Sequence, residues 1–355
     1  MSQDIVIIGA GQAGLAAGRA LAIAGHEPLL LDAAPAIGHS WRERWDSLRL
    51  FTPARFDGLP GLPFPGDPDH HPGKDEVADY LRSYASTFDL PVRLSSPVLR
   101  LTRSGDGFAL ATPDGEIEAR QVVVATGPFQ RPVVPPHSLT VPSPHTSEYR
   151  RPGQLPDGPV VVVGGGNSGV QIAAELAASG RSVTLAVGTR QPALPQRLLG
   201  RDLFHWLNRV GVVRIPSDTR IGARIRRREP LIGTSLRALR RDGVRLAGRV
   251  VAASGDTVTT ADGGTLRVSA VVWATGYRVD HGWIDIEGAV GPDGAPVHTR
   301  GAGVVPGLHY LGLPYQYSRG SALLGWVGDD AGRLATRVAA PVNAGDAARR
   351  RTAAR

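Results

Sequence analysis

Short apolar runs without polar alternation recur along the chain, and the first of them spans Ile5 to Ile8. Such runs are typical of parallel strands that are buried on both faces. We predict further strands over 29–31, 121–124, 161–163 and 271–273, and β-structure over 92–110. Helices are expected over 15–24 and, from its helical spacing of apolar side chains, over 75–88. The alternation of strands and helices predicts an α/β fold.

Glycines follow the first strand at the spacing of a dinucleotide-binding turn. Gly9 allows a tight turn, Gly11 lets the backbone approach a pyrophosphate, and Gly14 lets the next helix pack closely on the strand. Asp32 ends the second strand, 18 residues after Gly14, where a carboxylate can accept hydrogen bonds from both ribose hydroxyls. The residues predicted to bind this first nucleotide are Gly9, Gly11, Gln12, Ala13, Gly14 and Asp32.

The same unit returns 155 residues later, with its three glycines at Gly164, Gly166 and Gly169. At that offset Val187 replaces Asp32, so the second unit lacks the acid that favours NAD and repels a 2′-phosphate. Arg190 and Arg197 follow, and guanidinium groups match phosphate oxygens in two-point geometry. We therefore predict that the second unit binds NADP; the alternative is that these are surface arginines without a ligand.

The tripeptide Ala-Thr-Gly ends two of the predicted strands, at 125–127 and at 274–276. A small residue at a strand end lets the chain turn close to a cofactor and cross between domains. Thr126, Gly127, Thr275 and Gly276 are therefore predicted to line the cofactor sites. Residues 128–159 contain nine prolines and are expected to form a semi-rigid linker.

Composition narrows the classes of function. The chain has no cysteine, which excludes disulfide reduction through a cysteine pair. Its net charge of +8 comes almost entirely from scattered arginines, without a basic motif for nucleic acid. No apolar run reaches the ~18 residues of a membrane span, and the chain enters a strand within five residues, so we expect a cytoplasmic protein without a leader. His70 and His71 lack a third ligand, so no metal is expected.

Longer motifs then occur in a fixed order. They are WRERWDSLRLFTPARFDGLPGLPFP at 41–65, GPFQRPVVP at 127–135, HTSEYR at 145–150, GGGNSG at 164–169 and ATGYR at 274–278. Together they resemble the class B flavin-containing monooxygenases, most closely the bacterial CzcO-like flavoproteins and the plant YUCCA-type enzymes. The resemblance covers about residues 4 to 335. His145 and Tyr149 keep the HxxxY part of the family fingerprint, whereas Leu139 and Val141 stand where the family has Phe and Gly.

The resemblance implies two Rossmann-type dinucleotide-binding domains, with the NADP domain inserted into the FAD domain. The expected divisions are 1–155 and 277–340 for the FAD domain, 156–276 for the NADP domain, and 341–355 for a flexible tail. FAD is expected at the first glycine turn, with Trp41 and Arg42 in the flavin pocket or, alternatively, packed in the core. NADPH is expected at Gly164, Gly166, Asn167, Ser168 and Gly169.

The implied activity is an NADPH-dependent monooxygenase that forms a flavin C4a-(hydro)peroxide and oxygenates a small organic substrate with O2. Oxygenation of nitrogen or sulfur and attack on a ketone or 2-oxo acid both stay open. In the animal members of the family an asparagine helps to position the flavin oxygen adduct, and the corresponding stretch here, 48–53, offers Phe51 and Thr52. The candidate catalytic residues are Asn167, Gln316 and Tyr317, the latter two before a helix expected from Ser321.

Two other functions remain as alternatives. One is an NADPH-dependent flavin oxidoreductase that passes electrons to an acceptor without inserting oxygen. The other is a non-enzymatic, redox-sensing flavoprotein. Apart from substrate and O2 no partner is expected, and a homodimer is left open.

Overall fold

The computed structural model describes residues 2–227 and 230–339. Nine strands of these residues form a first sheet around the fully buried strand residues Ile5, Val6 and Ile7. Its parallel strands are, in spatial order, Leu308–Tyr310, Gly115–Val124, Ser2–Ile8, Leu29–Leu31 and Val92–Arg93. Its antiparallel strands are Arg100–Ser104 and Gly107–Thr112 beside Gly115–Val124, and His298–Thr299 and Ala302–Gly303 at the far edge.

A second sheet repeats the parallel arrangement with four strands. They are, in spatial order, Arg245–Ala247, Val183–Ala186, Val160–Val163 and Ala270–Trp273. A smaller sheet packs its apolar side chains against one face of this sheet and consists of Thr265–Arg267, Thr257–Thr260, Val250–Gly255 and Ser138–Leu139. The two parallel sheets are the α/β nucleotide-binding units that the repeat predicts.

Helices cover the sheets through their apolar faces. Gln12–Ile23, Lys74–Thr87 and Val327–Ala339 share one hydrophobic core on the first sheet, and Asn167–Ala178 packs in the core of the second. The other helices are His39–Arg42, Leu203–Arg209, Arg220–Arg227 and Leu236–Arg241, with 3-10 turns at Ala54–Phe56, Pro152–Gln154, Val212–Arg214 and Arg319–Ala322. Two-stranded pairs are Ala193–Leu194 with Leu231–Ile232, Arg197–Leu198 with Arg201–Asp202, and Arg131–Pro132 with Tyr277–Arg278.

The order of strands along the chain is that of an insertion. The chain leaves the first sheet after Val124, builds the second sheet, and returns to pair Leu308–Tyr310 with Gly115–Val124. The two crossings meet, because Tyr277–Arg278 runs antiparallel to Arg131–Pro132. The predicted fold class is therefore confirmed, whereas the division points at 155 and 276 stay predictions.

Two local predictions were wrong. Residues 128–159 are not a simple linker: they contribute two short strands, and Tyr149 is fully buried against the second unit. The helix expected from Ser321 is instead a 3-10 turn followed by helix Val327–Ala339, because Ser318 caps the turn. The predicted tail at 341–355 lies outside the described residues.

The buried face of helix Gln12–Ile23 gives a stability test. Leu21 is fully buried in the first core, whereas Ile23 near the end of the same helix is 71% exposed. We expect Leu21→Ala to lower the free energy of unfolding by about 2–5 kcal/mol, from lost burial and the cavity left behind. Urea denaturation measures it, with Ile23→Ala as the matched control. Equal effects of the two changes would contradict this packing.

Candidate functional site

The first glycine turn joins strand Ser2–Ile8 to helix Gln12–Ile23. Gly9 has a φ of +106°, and a Cβ atom on it would lie 2.6 Å from the carbonyl oxygen of Ala125. A Cβ atom on Gly14 would collide with the carbonyl oxygen of Gly9. Gly11, in contrast, faces open space. The turn is thus closed against protein on two sides and open at Gly11, where a ligand can approach the backbone.

The start of helix Gln12–Ile23 is suited to an anion. No side chain caps its first amides, and its first turn carries no acidic residue. Unpaired amides and the helix dipole both favour negative charge there. Asp32 lies beside the turn, where its Oδ2 accepts a hydrogen bond from Ala10 N at 2.6 Å and its Oδ1 accepts one from Ala34 N at 2.8 Å. These residues fit a dinucleotide with its pyrophosphate at the helix and a ribose at Asp32.

The other residues predicted for the first site are only partly gathered around this turn. Trp41 Nε1 donates to Gln12 Oε1 at 3.4 Å, and a Cβ atom on Gly312 would lie 2.6 Å from Cβ of Ala13. Arg42 instead extends to helix Lys74–Thr87, where its guanidinium lies 3.1 Å from Asp75 Oδ1 and 2.5 Å from Asp79 Oδ1. Two carboxylates therefore already pair with the guanidinium of Arg42. A cofactor role for this residue stays a prediction.

The second glycine turn repeats the geometry of the first. Gly164 has a φ of +121°, a Cβ atom on it would collide with the carbonyl oxygen of Ala274, and Gly166 faces open space. Helix Asn167–Ala178 begins there without a side-chain cap or an acidic residue in its first turn. Val187 occupies the position of Asp32, since a Cβ atom on Gly165 would lie 2.9 Å from Cγ1 of Val187. The second turn fits a dinucleotide whose ribose needs no carboxylate.

Arginines lie at the ends of the strands beside Val187. Arg190 is exposed just after strand Val183–Ala186, and Arg249 follows the adjacent strand Arg245–Ala247. A Cβ atom on Gly188 would lie 3.4 Å from Nε of Arg249, so this guanidinium flanks the loop that carries Arg190. Sequence reasoning missed Arg249, although the strand end before it was a usable signal. Arg197 lies on a hairpin, where its Nη2 donates to Gly200 O at 2.6 Å.

Both Ala-Thr-Gly turns are held by the segment that crosses between the sheets. Gln130 Nε2 donates to Thr126 Oγ1 and to Gly127 O, each at 2.8 Å. Thr275 Oγ1 donates to Val133 O, and Val133 N donates to Gly276 O at 3.0 Å. The four predicted turn residues therefore lie at the crossing, and Gln130 is a positioning residue that sequence reasoning missed.

The HxxxY motif fastens the same crossing to the second unit. Ser147 N donates to His145 Nδ1 at 3.1 Å, so His145 Nε2 carries the proton and donates to Gly276 O at 3.1 Å. Burial lowers the pKa of His145 and keeps the ring neutral. Tyr149 donates to Glu175 Oε2 at 2.8 Å on helix Asn167–Ala178. The motif therefore has a structural use that does not require a ligand.

The three catalytic candidates occupy two places, Asn167 at the start of helix Asn167–Ala178 and the adjacent Gln316 and Tyr317 in the returning segment, and each contacts other protein groups. Asn167 Oδ1 accepts from Ile232 N at 3.1 Å. Gln316 is buried, with its Oε1 accepting from Leu313 N at 3.2 Å and its Nε2 donating to Tyr310 O at 2.6 Å. The ring centroid of Tyr317 lies 4.0 Å from the guanidinium carbon of Arg333. Catalytic roles for these residues, and a cofactor role for Ser168, stay predictions.

An aromatic cluster joins the two nucleotide-binding units. We define it by Phe51, Phe56, Phe204 and Trp326. Phe51 stacks on Phe204 at 5.7 Å between ring centroids, Phe56 on Trp326 at 5.8 Å, and Phe204 meets Trp326 at 5.9 Å. The first part of the chain, the inserted unit and the returning segment thus each contribute a ring. Beside these rings lies a group of ionisable side chains that sequence reasoning did not connect, namely Asp57, His71 and Asp202.

Neither a metal centre nor a membrane-spanning helix is present in residues 2–227 and 230–339. No three His, Cys, Asp or Glu side chains of these residues are grouped to hold a metal ion. The two neighbouring histidines have separate partners, since His70 Nε2 lies 2.7 Å from Glu76 Oε1 and His71 Nε2 lies 3.4 Å from Asp202 Oδ2. None of the helices in this range combines the length and the apolar character needed to cross a bilayer.

Comparisons with known proteins agree with this architecture. The family model described as pyridine nucleotide-disulphide oxidoreductase matches residues 6–197. An uncharacterized oxidoreductase, CzcO-like, from Geobacillus kaustophilus (strain HTA426) is 42% identical over 92% of this chain and 96% of its own length. The indole-3-pyruvate monooxygenase YUCCA1 of Oryza sativa subsp. japonica is 33% identical over 56% of this chain and 51% of its own length.

Among solved structures, a flavin-containing monooxygenase from Stenotrophomonas maltophilia superimposes with a TM-score of 0.81. It is 28% identical, and the match covers 95% of this chain and 98% of that one. These similarities confirm the kinship and the two-domain architecture that the ordered motifs predicted.

The carboxylate beside the first turn generates a binding test. Because a hydrogen bond to a charged group contributes about 1.5–3 kcal/mol, we expect Asp32→Ala to weaken FAD binding by about tenfold or more. The ratio of flavin to protein absorbance after purification measures it, followed by titration of FAD into the stripped protein. Glu27→Ala, an exposed acid just before the same strand, is the control. An unchanged flavin content in Asp32→Ala would remove the carboxylate from the site.

Proposed function

This chain belongs to the pyridine nucleotide-disulphide oxidoreductase family, and from that premise we propose that it is a flavin-containing monooxygenase. It is an oxidoreductase that uses FAD and NADPH. The proposed reaction transfers one oxygen atom of O2 to a small organic substrate and reduces the other to water. Oxygenation of nitrogen or sulfur and attack on a ketone or 2-oxo acid are both compatible with the residues present.

The observation that carries this proposal is the pair of equivalent glycine turns in a chain without cysteine. Two turns open at Gly11 and Gly166 provide for two dinucleotides, and the absence of cysteine leaves no thiol to pass electrons to a disulfide. Relatives named as a flavin-containing monooxygenase and as an indole-3-pyruvate monooxygenase support oxygen insertion as the use of these electrons.

The chain's own residues bind, orient and shield. The first glycine turn and Asp32 would hold FAD, and the second turn with Arg190 and Arg249 would hold NADPH. When bound, these coenzymes supply hydride transfer and the activation of O2. Gln130 and His145 hold the backbone of the two crossing turns, and the aromatic cluster would exclude water from the region where the units meet.

The arginines of the second unit should select the 2′-phosphate. We expect Arg190→Ala and Arg249→Ala each to weaken NADPH binding by about tenfold, through loss of a charge-assisted hydrogen bond, and to change NADH binding little. Dissociation constants measured by calorimetry for both coenzymes test this. Arg267→Ala, which removes an exposed arginine paired with Asp256 in the same unit, is the control. Parallel losses for NADPH and NADH would exclude a phosphate role.

Oxygen insertion is tested with isotopically labelled O2 and a panel of amines, sulfides, ketones and 2-oxo acids. We expect one class to accelerate NADPH consumption and to yield a product with one labelled oxygen atom, while hydrogen peroxide release falls. A quinone or other soluble acceptor serves as the comparison. Electrons that reach only peroxide or that acceptor, with every substrate class, would favour an oxidoreductase without oxygen insertion.

A further inference from the structure

A carboxyl group is sealed beside the aromatic cluster. Asp57 is 1% exposed and directly follows the 3-10 turn Ala54–Phe56. Thr52 Oγ1 donates to its Oδ1 at 2.5 Å, whereas its Oδ2 has no hydrogen-bond partner among the residues that the structure describes. A buried, half-satisfied carboxylate is costly, so such a group persists where a ligand or a proton completes it.

The neighbouring pair of His71 and Asp202 holds a charge. His71 Nδ1 lies 3.1 Å from the carbonyl oxygen of Leu50, which can only accept, and Nε2 lies 3.4 Å from Asp202 Oδ2. Both ring nitrogens therefore face acceptors, which favours the doubly protonated ring. The contact with Asp202 raises the pKa of His71. Asp202 is fixed in turn, because Gln196 Nε2 donates to its Oδ2 at 2.6 Å and Phe204 N donates to its Oδ1 at 2.8 Å.

The surroundings of Asp57 set its affinity for a proton. Burial is the largest influence and raises the pKa of Asp57 to about 7. The hydrogen bond from Thr52 and the charge of His71 act in the opposite direction and lower this pKa, whereas the charge of Asp202 raises it. On helix Lys74–Thr87, the hydroxyl of Tyr80 accepts a hydrogen bond from Leu59 N at 2.5 Å and donates one to Leu62 O at 2.7 Å. From the returning segment, the guanidinium carbon of Arg319 lies 5.8 Å from the ring centroid of Phe204.

These groups lie where the two units meet. Thr52, Asp57 and His71 come from the first part of the chain and Asp202 from the inserted unit, and Gln196 Nε2 also donates to Phe51 O at 2.9 Å. A Cβ atom on Gly325 would collide with the carbonyl oxygen of Phe56, so the turn before Asp57 packs against the entry of helix Val327–Ala339. That helix shares the core of helix Gln12–Ile23, which begins at the first glycine turn.

Oxygenation consumes a proton. The balanced reaction is NADPH + H⁺ + O2 + S → NADP⁺ + H2O + SO, where S is the substrate. One proton is therefore consumed in addition to the hydride, in a region that must exclude water. We propose that Asp57 gives this proton to the oxygen atom that becomes water and regains one from solvent in each turnover, and that the charged His71–Asp202 pair, acting as a positioning pair, makes its carboxyl ready to release it. This inference rests on the proposed monooxygenase function.

The direction of each effect follows from the charges. Activity requires protonated Asp57, so product formation should fall as the pH rises through about 7. Removing the charge of His71 strengthens the hold of Asp57 on its proton, so the fall should move to higher pH in His71→Gln. Removing the carboxylate of Asp57 takes a negative neighbour from His71, so the pKa of His71 should fall in Asp57→Asn.

The experiment uses the flavin-loaded protein and three variants: Asp57→Asn, His71→Gln and, as the control, Asp69→Asn. Asp69 is an exposed acid of the same loop that pairs with Arg55. The pH dependence of labelled product formation is measured from pH 5 to 9, with the best substrate of the panel. A proton NMR titration of the histidine ring, identified by its loss in His71→Gln, gives a readout independent of turnover.

We expect Asp57→Asn to lose the fall near pH 7 and to reduce the rate of product formation about 10²-fold, the usual contribution of a positioned general acid. The KM for NADPH should stay unchanged, the His71 titration should move to lower pH, and Asp69→Asn should behave as the wild type. If Asp57→Asn does not fold, the shift of the fall to higher pH in His71→Gln still supports the proposal.

Two results would overturn the role of Asp57 alone. One is a wild-type rate and pH profile in Asp57→Asn, with only its melting temperature lowered. The other is an unmoved fall in His71→Gln. No labelled product from the wild type at any pH would instead overturn the proposed function, and the proton role with it, even where the NMR titration still showed that Asp57 and His71 interact.

Discussion

The close approach of two backbone segments is the constraint on which both nucleotide-binding units depend. In the first unit Gly9 lies against the carbonyl of Ala125, and in the second Gly164 lies against the carbonyl of Ala274. A side chain at either glycine would push apart the ends of two neighbouring parallel strands. Because the strand ends stay together, the following helix can begin beside them with its amides directed at a single point.

The same approach makes each glycine turn dependent on a crossing of the chain. Ala125 precedes the crossing into the second unit, and Ala274 precedes the crossing back. The two crossings pair with each other, and Gln130, Val133 and His145 bind their backbone groups. The inserted unit is therefore joined to the first unit by two crossing segments that pair with each other, and this pairing fixes the two glycine turns relative to one another.

Much of the architecture of the two glycine turns could be predicted from the sequence, because it depends on local patterns. The strand Ile5–Ile8, the glycine spacing and the missing acid at Val187 each depend on residues close together in the chain, and repetition of the pattern reinforced them. The wrong prediction for 128–159 concerns residues whose environment is made by distant segments. Prolines in 128–159 suggested a linker because their local stiffness is visible, whereas the burial of Tyr149 against the second core is not.

The same limit explains which site residues were missed. Arg249 and Arg190 are far apart in sequence, and Arg249 lies beside the loop of Arg190 only because strands Val183–Ala186 and Arg245–Ala247 are neighbours. His71 and Asp202 belong to none of the quoted motifs, and Asp57 lies in the motif at 41–65 without a role that its neighbours in sequence indicate. The electrostatics of the three side chains are coupled across the contact between the two units.

The electrostatic coupling of Asp57, His71 and Asp202 depends on the contact between the two units. Each charge alone would be costly to bury, but a cation held between Asp57 and Asp202 offsets part of that cost only while the inserted unit is docked. Asp202 is brought to His71 by Gln196 and by the amide of Phe204, which are themselves part of the inserted unit. The proton affinity of Asp57 is therefore a property of the assembled pair of units and not of either unit alone.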